Sequence, residues 1–381
     1  MEKADEWLWL AAVQIMTVVA AVLAFSCYMR PSQAALIQTR LSLTLDLKQP
    51  PFKRLLAVVN PISGRHTAEQ DWSDVARALR SHGISIDTIV TQRSGHTLEL
   101  FRSISNFHTE YDLLVAVGGD GFLHEVLNAL VALKSSPPEA FPAGISVVPS
   151  GTGNGVATSL GISTVPDAAH ALLAGSMGPL DLLRVEVAGS QSRLAALSVA
   201  WGAIADHDAY AENGLRALPG KSLLVPLWII ACHKTYRGRL SFVPAARQAP
   251  LEAVTPHGVD PVSGRVVIDG SFNLIQLCNL PWIATDCHAA PGSKPDDGCF
   301  AVLVMRGASR ADLLRMFLAA ESGGHTSHAA VELYWATEAT ISPAPGPHGL
   351  GNICIDGELV PPARVEVQCL PSAMRVVRGT S

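Results

Sequence analysis

The chain has 381 residues, of which 48% are hydrophobic and 16% charged, with a formal net charge of −5 at pH 7. This length allows two domains with sizeable cores, and the negative balance argues against a nucleic-acid-binding protein, which would usually carry a basic surface. The seven cysteines are scattered, with no CxxC pair and no zinc-like His/Cys cluster, which is typical of reduced thiols in a cytosolic protein.

Residues 1–30 predict a membrane anchor. The segment 7–29 carries no formal charge and is long enough to cross about 30 Å of hydrocarbon as a helix. Trp7 and Trp9 stand at its start, where an interfacial belt would lie. Acidic residues precede the segment and basic residues follow it, so the positive-inside bias predicts that the rest of the chain lies in the cytosol. A buried or interfacial helix is the alternative.

After a polar linker over 31–53, residues 54–178 predict a nucleotide-binding α/β domain. Short apolar runs typical of buried strands alternate with helical patterns, which favours a doubly wound, mainly parallel sheet. The predicted strands are 55–60, 84–90, 112–117 and 144–149.

From residue 179 to 381, strand-like runs follow one another with few helices between them. This predicts a mainly β, sandwich-like second domain. Helical segments at 222–233 and 309–322 interrupt it. Both are strongly apolar, with ordinary core packing as one interpretation.

Three polar turns follow apolar strands in the first domain: "NPISG" (60–64), "GGDG" (118–121) and "SGTGNG" (150–155). In a doubly wound sheet such turns share the carboxyl edge, where ligands bind. Glycines let the backbone approach a phosphate, and the helix N-terminus that follows favours negative charge. The chain has neither a Walker A motif nor a GxGxxG motif after its first strand. Simple tight turns are the alternative.

The motifs "VVNPISG", "VAVGGDGFLHEVLNAL" and "VPSGTGNGVATSLG" resemble the catalytic core of the diacylglycerol kinase and sphingosine kinase superfamily. "VAWGAIADHDAY", "KTYRGRLSFVP", "APGSKPDDG", "SRADLLRMFLA" and "CIDGELV" are similar in order and spacing to sphingosine kinases. The resemblance covers residues 54–378. It implies that the β-rich domain over 179–381 binds the lipid, and the apolar segments 222–233 and 309–322 could wall a channel for its acyl chain. It implies a kinase that uses ATP and Mg²⁺ to phosphorylate the primary hydroxyl of sphingosine or a related sphingoid base, with this lipid and a membrane as partners.

The resemblance also implies roles for matching residues. It places the ATP site at Asn60, Pro61, Gly64, Thr91, Arg93, Gly118, Gly119, Gly121, Glu125, Gly151, Thr152, Gly153, Asn154, Arg216, Lys221, Asp356, Gly357 and Glu358. Asp356 is also the implied metal ligand. Three positions depart from the family: Arg93 is followed by Ser94 instead of a second arginine, Leu215 stands beside Arg216 where an arginine is expected, and Lys221 replaces an arginine without its guanidinium fork.

Asp120 is the candidate catalytic base. Phosphoryl transfer depends on positioning and charge neutralisation, and a carboxylate in the turn could take the proton of the lipid hydroxyl. Its alternative role is a helix N-cap. Glu125 lies one turn further along the same helix, where it could face the site or be solvated. His124 is interpreted as structural.

Asp206 and Asp208 are the candidate lipid-binding residues. If their segment is extended, both side chains point to the same face, and an ammonium group would relieve their repulsion. The resemblance assigns Asp208 to the sphingoid head group. The alternative is that one or both carboxylates cap a helix starting near Tyr210.

Other activities remain open at this point. A diacylglycerol or ceramide kinase would share the same core, and NAD kinases also use a GGDG turn. A membrane-tethered pseudokinase acting as a binding module is a further alternative. The sphingosine-kinase-like segments and the intact Asp120, Asp356 and Glu358 favour the sphingoid-base kinase.

Overall fold

The computed structural model describes residues 50–104, 110–133, 144–212, 221–247, 259–260 and 262–379. The first part of the chain forms four parallel strands in the order β2-β1-β3-β4. These are β1 (Arg54–Val59), β2 (Ser85–Val90), β3 (Leu113–Gly118) and β4 (Gly144–Pro149). Since β1, β3 and β4 are almost completely buried, their apolar runs need no alternation with polar residues.

Helices cover both faces of this parallel sheet. They are α1 (Ala68–Ser81), α2 (His96–Ser103), α3 (Asp120–Leu133), α4 (Gly155–Ser159) and α5 (Val165–Ala174). Helix α1 packs on α5, and α2 packs on α3. The chain leaves β1 in one direction to form β2 and returns past it to form β3. The carboxyl ends of β1 and β3 therefore flank a topological switch point, where α/β sheets bind ligands.

The second part is mainly β. Its strands are β5 (Met177–Val187), β6 (Arg193–Ala195), β7 (Ser198–Gly202), β8 (Tyr236–Pro244), β9 (Val266–Phe272), β10 (Leu274–Cys278), β11 (Phe300–Met305), β12 (Val331–Ala344), β13 (Ile353–Ile355), β14 (Glu358–Val360) and β15 (Val365–Val377). The helices within it are α6 (Ala203–Glu212), α7 (Lys221–Cys232) and α8 (Arg310–Ala319), with a 3₁₀ turn over Gly324–Ser327.

Antiparallel pairing builds the order β14-β13-β7-β10-β11-β12-β15. Strand β15 also pairs antiparallel with β5, and it meets β4 in parallel where Val376 faces Ile145. One sheet therefore continues from the β-rich part into the parallel part.

The two faces of the strands pack against different groups of buried residues. Ile353 and Ile355 of β13 lie in the β-rich core together with Trp201. Cys354, between them, points the other way and packs with Ala205 of α6. This alternation directs every second residue of β13 toward the helices, as expected for a strand.

The predicted fold class is corrected in one respect. The longest described helices, α1 and α3, have 14 residues each, fewer than the roughly 20 that a helix needs to cross a bilayer. No helix in the described part of the chain is long and apolar enough to span a membrane. The predicted transmembrane helix, and with it the predicted anchored localisation, is therefore not supported. Residues 1–30, which carried both predictions, lie outside the described residues.

Candidate active site

The first polar turn lies at the carboxyl end of β1. Asn60 donates its backbone N–H to the carbonyl oxygen of Val117 at 3.0 Å, and its Oδ1 accepts the N–H of Ile62 at 3.2 Å. Gly64 has a φ of 57°, and a Cβ there would lie 2.4 Å from the carbonyl oxygen of Ser150. Glycine is therefore required at 64, because this turn packs directly on the turn that follows β4.

The second and third turns touch through their backbones. A Cβ on Gly151 would lie 2.3 Å from the Cα of Gly119, and a Cβ on Gly119 would lie 3.0 Å from the Cα of Gly151. Asn154 closes the third turn, since its Oδ1 accepts the N–H of Gly151 at 2.9 Å and its Nδ2 donates to the carbonyl of Gly151 at 3.0 Å. The three turns thus form one backbone surface that a bulky anion can approach closely.

Asp120 joins the second turn to the third. It is the first residue of α3, but its carboxylate accepts the N–H groups of Gly155 and Val156, at 2.9 Å each, at the start of α4. Asp120 is thus a residue of the first turn of α3 and not its N-cap, and its carboxylate binds the N-terminus of α4, whose N-cap residue is Asn154. Burial raises the pKa of Asp120 to about 6, and the negative charge of Asp356 adds to the rise, while the two N–H groups oppose it. A carboxylate with this pKa can accept a proton near neutral pH.

Asp356 lies in the turn between β13 and β14, with a φ of 50°, and is only 3% exposed. Its carboxylate accepts three backbone N–H groups, from Ala196 at 2.9 Å, Leu197 at 2.9 Å and Ser198 at 3.0 Å. Its Oδ2 also lies 3.1 Å from Nδ1 of His124 on α3. Through His124, Asp356 therefore connects the β13–β14 turn to α3.

This geometry does not fit the predicted metal-ligand role of Asp356, because each of its oxygens already has two hydrogen-bonding partners. Among the described residues, no group of three or more His, Cys, Asp or Glu side chains could hold a metal ion. Gly357, with a φ of 86°, completes the turn, and Glu358 follows. A Cβ on Gly121 would lie 2.7 Å from Oε1 of Glu358, so this carboxylate lies over the first turn of α3.

Two other predicted ATP-site residues are engaged inside the α/β part. Oε1 of Glu125 accepts the hydroxyl of Thr97 at 2.5 Å and its N–H at 3.3 Å, so Glu125 binds the N-terminal turn of α2. Thr91, which follows β2, is buried and donates its N–H and its hydroxyl to the carbonyl of Val59, at 2.9 and 3.3 Å. Both side chains stabilise the switch-point region from within the protein.

The remaining predicted ATP-site residues lie at the surface or outside the described residues. Arg93 forms an exposed ion pair with Glu99, 2.5 Å between Nη2 and Oε1. Thr152 is exposed at the tip of the third turn. Arg216 lies outside the described residues, and Lys221 is placed only as the first residue of α7, its side chain being outside the description.

The acidic pair does not lie on an extended segment. Asp206 and Asp208 belong to α6, which begins directly after β7 because Gly202 adopts a φ of 91° and turns the chain. Residues two apart on a helix are about 200° apart around its axis, so the predicted common face is wrong. The predicted alternative, a helix starting near Tyr210, is wrong as well. The alanines of "AIADHDAYA" favour this helix and were the missed signal.

The two carboxylates have different surroundings. Asp206 is 2% exposed, and its oxygens accept the hydroxyl of Tyr236 at 2.5 Å and the amide of Asn352 at 2.8 Å. The Asp208 side chain is 27% exposed, and its Oδ2 accepts the thiol of Cys354 at 3.1 Å. Asp206 is therefore built into the protein, whereas Asp208 can still meet a ligand.

A narrow cleft opens between α6, α7 and α8. Its lining combines Asp206 and Tyr210 of α6, Ile229 and Cys232 of α7, and Lys234, Asn273, Ala203 and Leu313. Helices α7 and α8 pack on each other and carry exposed apolar side chains on their outer surface: Leu227, Trp228, Leu314 and Leu318. Apolar side chains thus continue from the cleft to the surface.

Sequence reasoning missed three residues that organise this site: Tyr236, Asn352 and Cys354. Tyr236 belongs to the "KTYRGRLSFVP" segment, Cys354 is the first residue of "CIDGELV", and Asn352 stands two residues before it, so the motifs pointed to the right segments. It also missed a contact from the β-rich part, where Thr285 donates its N–H to the carbonyl of Gly153 at 2.9 Å.

Two family models match the chain. Residues 54–185 match the diacylglycerol kinase catalytic domain. Residues 234–378 match the YegS C-terminal NAD kinase beta sandwich-like domain.

Curated relatives match over most of the chain. Sphingosine kinase 1 of Homo sapiens is 30% identical over 353 residues, covering 86% of this chain and 91% of that protein. Sphingosine kinase 1 of Arabidopsis thaliana is 28% identical over 350 residues, covering 84% of this chain and 71% of that protein. Among solved structures, a diacylglycerol kinase from Bacillus anthracis superposes with a TM-score of 0.57 at 14% identity, covering 86% of this chain and 97% of that one. This last likeness concerns the fold alone.

Proposed function

The chain belongs to the sphingosine kinase family of lipid kinases, and we propose that it transfers the γ-phosphoryl group of ATP to the primary hydroxyl of sphingosine or a related sphingoid base. The position of Asp120 carries the proposal. Its carboxylate lies where two glycine turns meet, and its pKa of about 6 suits a general base near neutral pH.

The nucleotide half of the reaction rests on the backbone surface of the three turns. Asn60, Pro61 and Gly64 in the first, Gly118, Gly119 and Gly121 in the second, and Gly151, Thr152, Gly153 and Asn154 in the third would hold the phosphates. The closeness of Gly119 and Gly151 excludes side chains there, so phosphate oxygens can approach N–H groups directly.

We propose that Mg²⁺ enters with ATP. Mg²⁺ is usually bound through one or two carboxylates together with phosphate oxygens, which suits a site that lacks a three-ligand cluster among the described side chains. Glu358, over Gly121, is the carboxylate that would face it. When bound, the ion neutralises phosphate charge during transfer.

The preference for a sphingoid base rests on Asp208. A sphingoid base carries an ammonium group, diacylglycerol carries no cation, and the nitrogen of ceramide is acylated. Asp208 is a partly exposed carboxylate on α6, the helix that lines the cleft with its other face, and a carboxylate favours the cationic lipid. The exposed Leu227, Trp228, Leu314 and Leu318 would contact the membrane surface from which this lipid enters.

The decisive experiment incubates the full-length protein with labelled ATP, Mg²⁺ and separate vesicles containing sphingosine, phytosphingosine, ceramide or diacylglycerol. We expect label in the two free bases. Label mainly in diacylglycerol or ceramide would replace the sphingoid-base proposal by the corresponding alternative. Turnover of none of the lipids would favour the pseudokinase.

The Asp208→Ala variant tests the proposed head-group contact. Loss of a charge-assisted hydrogen bond is worth roughly 1.5–3 kcal/mol, so kcat/KM for sphingosine should fall by about one to two decades. The KM for ATP should stay near the parental value, because Asp208 does not touch the glycine turns in the structure. An unchanged KM for sphingosine would refute the assignment.

A further inference from the structure

Three residues at alternating positions around β13 point toward the helices of the active site. The amide of Asn352 donates to Oδ1 of Asp206 at 2.8 Å, the thiol of Cys354 donates to Oδ2 of Asp208 at 3.1 Å, and Asp356 contacts α3. The residues between them, Ile353 and Ile355, are fully buried in the β-rich core. The strand therefore presents one polar face to α6 and α3 and one apolar face to the core.

This polar face connects the two halves of the site. At one end it fixes the acidic pair on α6, and at the other it fixes α3, whose first residue is the proposed base Asp120. Because β13 is paired on both sides, with β7 and β14, its residues have little freedom to shift.

We propose that Cys354 is a positioning residue that holds the Asp208 carboxylate in the orientation that receives the head group of the lipid. This inference rests on the proposed function of Asp208. Asp206 already has two donors, Tyr236 and Asn352, and so needs no further support. Asp208 has Cys354 on Oδ2, and its Oδ1 lies 3.3 Å from Nδ1 of His207. The other oxygen, Oδ1, lies beside His207, whose side chain is more exposed than that of Asp208.

The surroundings keep Cys354 in the donor form. Burial raises the pKa of the thiol well above its ordinary value, and the neighbouring charge of Asp208 raises it further. A protonated thiol can only donate to the carboxylate, so its direction is fixed. Ala200 and Ala205 pack around the thiol, whose polar neighbours are the Asp208 carboxylate and the backbone of Ala200.

The test compares Cys354→Ala, Cys354→Ser and the control Cys278→Ala. Cys278 is also fully buried, but it lies in an apolar cluster with Ala289, Ala290 and Ala301. We expect Cys354→Ala to raise the KM for sphingosine about threefold to tenfold, the range for one weak hydrogen bond, with the KM for ATP unchanged. Cys354→Ser, which keeps a donor, should restore much of the loss, and Cys278→Ala should leave both KM values unchanged.

Equal effects of Cys354→Ala and Cys278→Ala on the KM for sphingosine would overturn the proposal, as would failure of Cys354→Ser to restore it. A double-mutant cycle between Cys354→Ala and Asp208→Asn, measured by thermal unfolding, tests the contact independently of the substrate. If the parent phosphorylates a different lipid, the proposed function fails, and the coupling energy still decides the contact. Zero coupling refutes the positioning role in either case.

Discussion

The proposed nucleotide half and the proposed lipid half of the site are formed by different kinds of contact. Around the glycine turns, the decisive contacts involve the backbone: Gly119 meets Gly151, and Asp120 binds two N–H groups. Around α6, side chains from distant strands meet, as when Tyr236 and Asn352 bind Asp206. A site formed by backbone atoms of short turns depends on the local sequence. A site formed by side chains from distant segments depends on the completed fold. Mutations should therefore act differently in the two halves.

The largest expected effect is that of Asp120→Asn. Loss of the proton acceptor should lower turnover by at least about 10²-fold, the lower end for general acid–base catalysis. The asparagine amide retains one oxygen for the N–H groups of α4, so the fold should persist. Turnover is measured with labelled ATP, and circular dichroism serves as the control for folding. Near-parental turnover would show that the nucleotide half is only a binding surface.

Gly151→Ala tests the comparison, because its Cβ would meet the backbone of Gly119 and, at 2.8 Å, Oδ1 of Asn154 within the same turns. Its Cβ would lie 2.3 Å from the Cα of Gly119, and overpacking of this kind costs about 1–3 kcal/mol. We expect a lower unfolding midpoint and a raised KM for ATP. Gly346→Ala is the matched control, since its Cβ would meet only the flexible side chain of Arg237 at 3.3 Å. Equal behaviour of the two variants would contradict the close approach of the turns.

The pH dependence should report Asp120. If the ionised carboxylate is the base, activity should fall as pH drops through about 6, with half of the maximum near that pH. Its pKa is raised above the ordinary value of 3.8, so ionising it costs free energy in the folded protein. The contribution of this group to stability is therefore greatest below pH 3.8 and is lost as pH rises to about 6.

Carbon-13 NMR of labelled aspartate, with Asp120→Asn used to assign the signal, measures this titration directly in the unliganded protein. A midpoint near the ordinary aspartate value would refute the effect of burial. The same variant should lack the decline in stability between pH 4 and 6.

The smallest expected effect is at Arg93, an exposed residue paired with Glu99. Arg93→Ala should leave the unfolding midpoint unchanged, since surface ion pairs contribute little. If Arg93 turns to the triphosphate, its loss should raise the KM for ATP, by about threefold at most in screened water. Glu99→Ala, which frees Arg93, should lower that KM. Parallel changes in both variants would exclude a phosphate contact.

The contrast also explains what could be predicted from sequence. The strand predicted at 144–149 lies at Gly144–Pro149, and the three turns lie together at the sheet edge, because apolar runs and glycine-rich turns are local signals. The partners of Asp206 could not be predicted, because Tyr236 and Asn352 lie far from it in sequence. The helix α6 was missed because carboxylates two apart were interpreted as strand alternation.

The prediction of a membrane anchor is not supported, for a different reason. Its apolar segment lies outside the described residues, and the helices that are described are too short to cross a bilayer. For His124, the sequence predicted a structural role but not the partner. Asp356 belongs to the β-rich part, so this contact could be identified only in the fold.

The pairing of β15 has a consequence for biosynthesis. This strand closes the edge of β4, and just beyond it Gly379 donates to the carbonyl of Leu160. A ribosome therefore makes all four parallel strands long before it makes the residues that cover β4. During that interval the nascent chain exposes an unpaired edge, which is a template for aggregation. Chaperones that shield strand edges should therefore matter more for the yield of this protein than for its final stability.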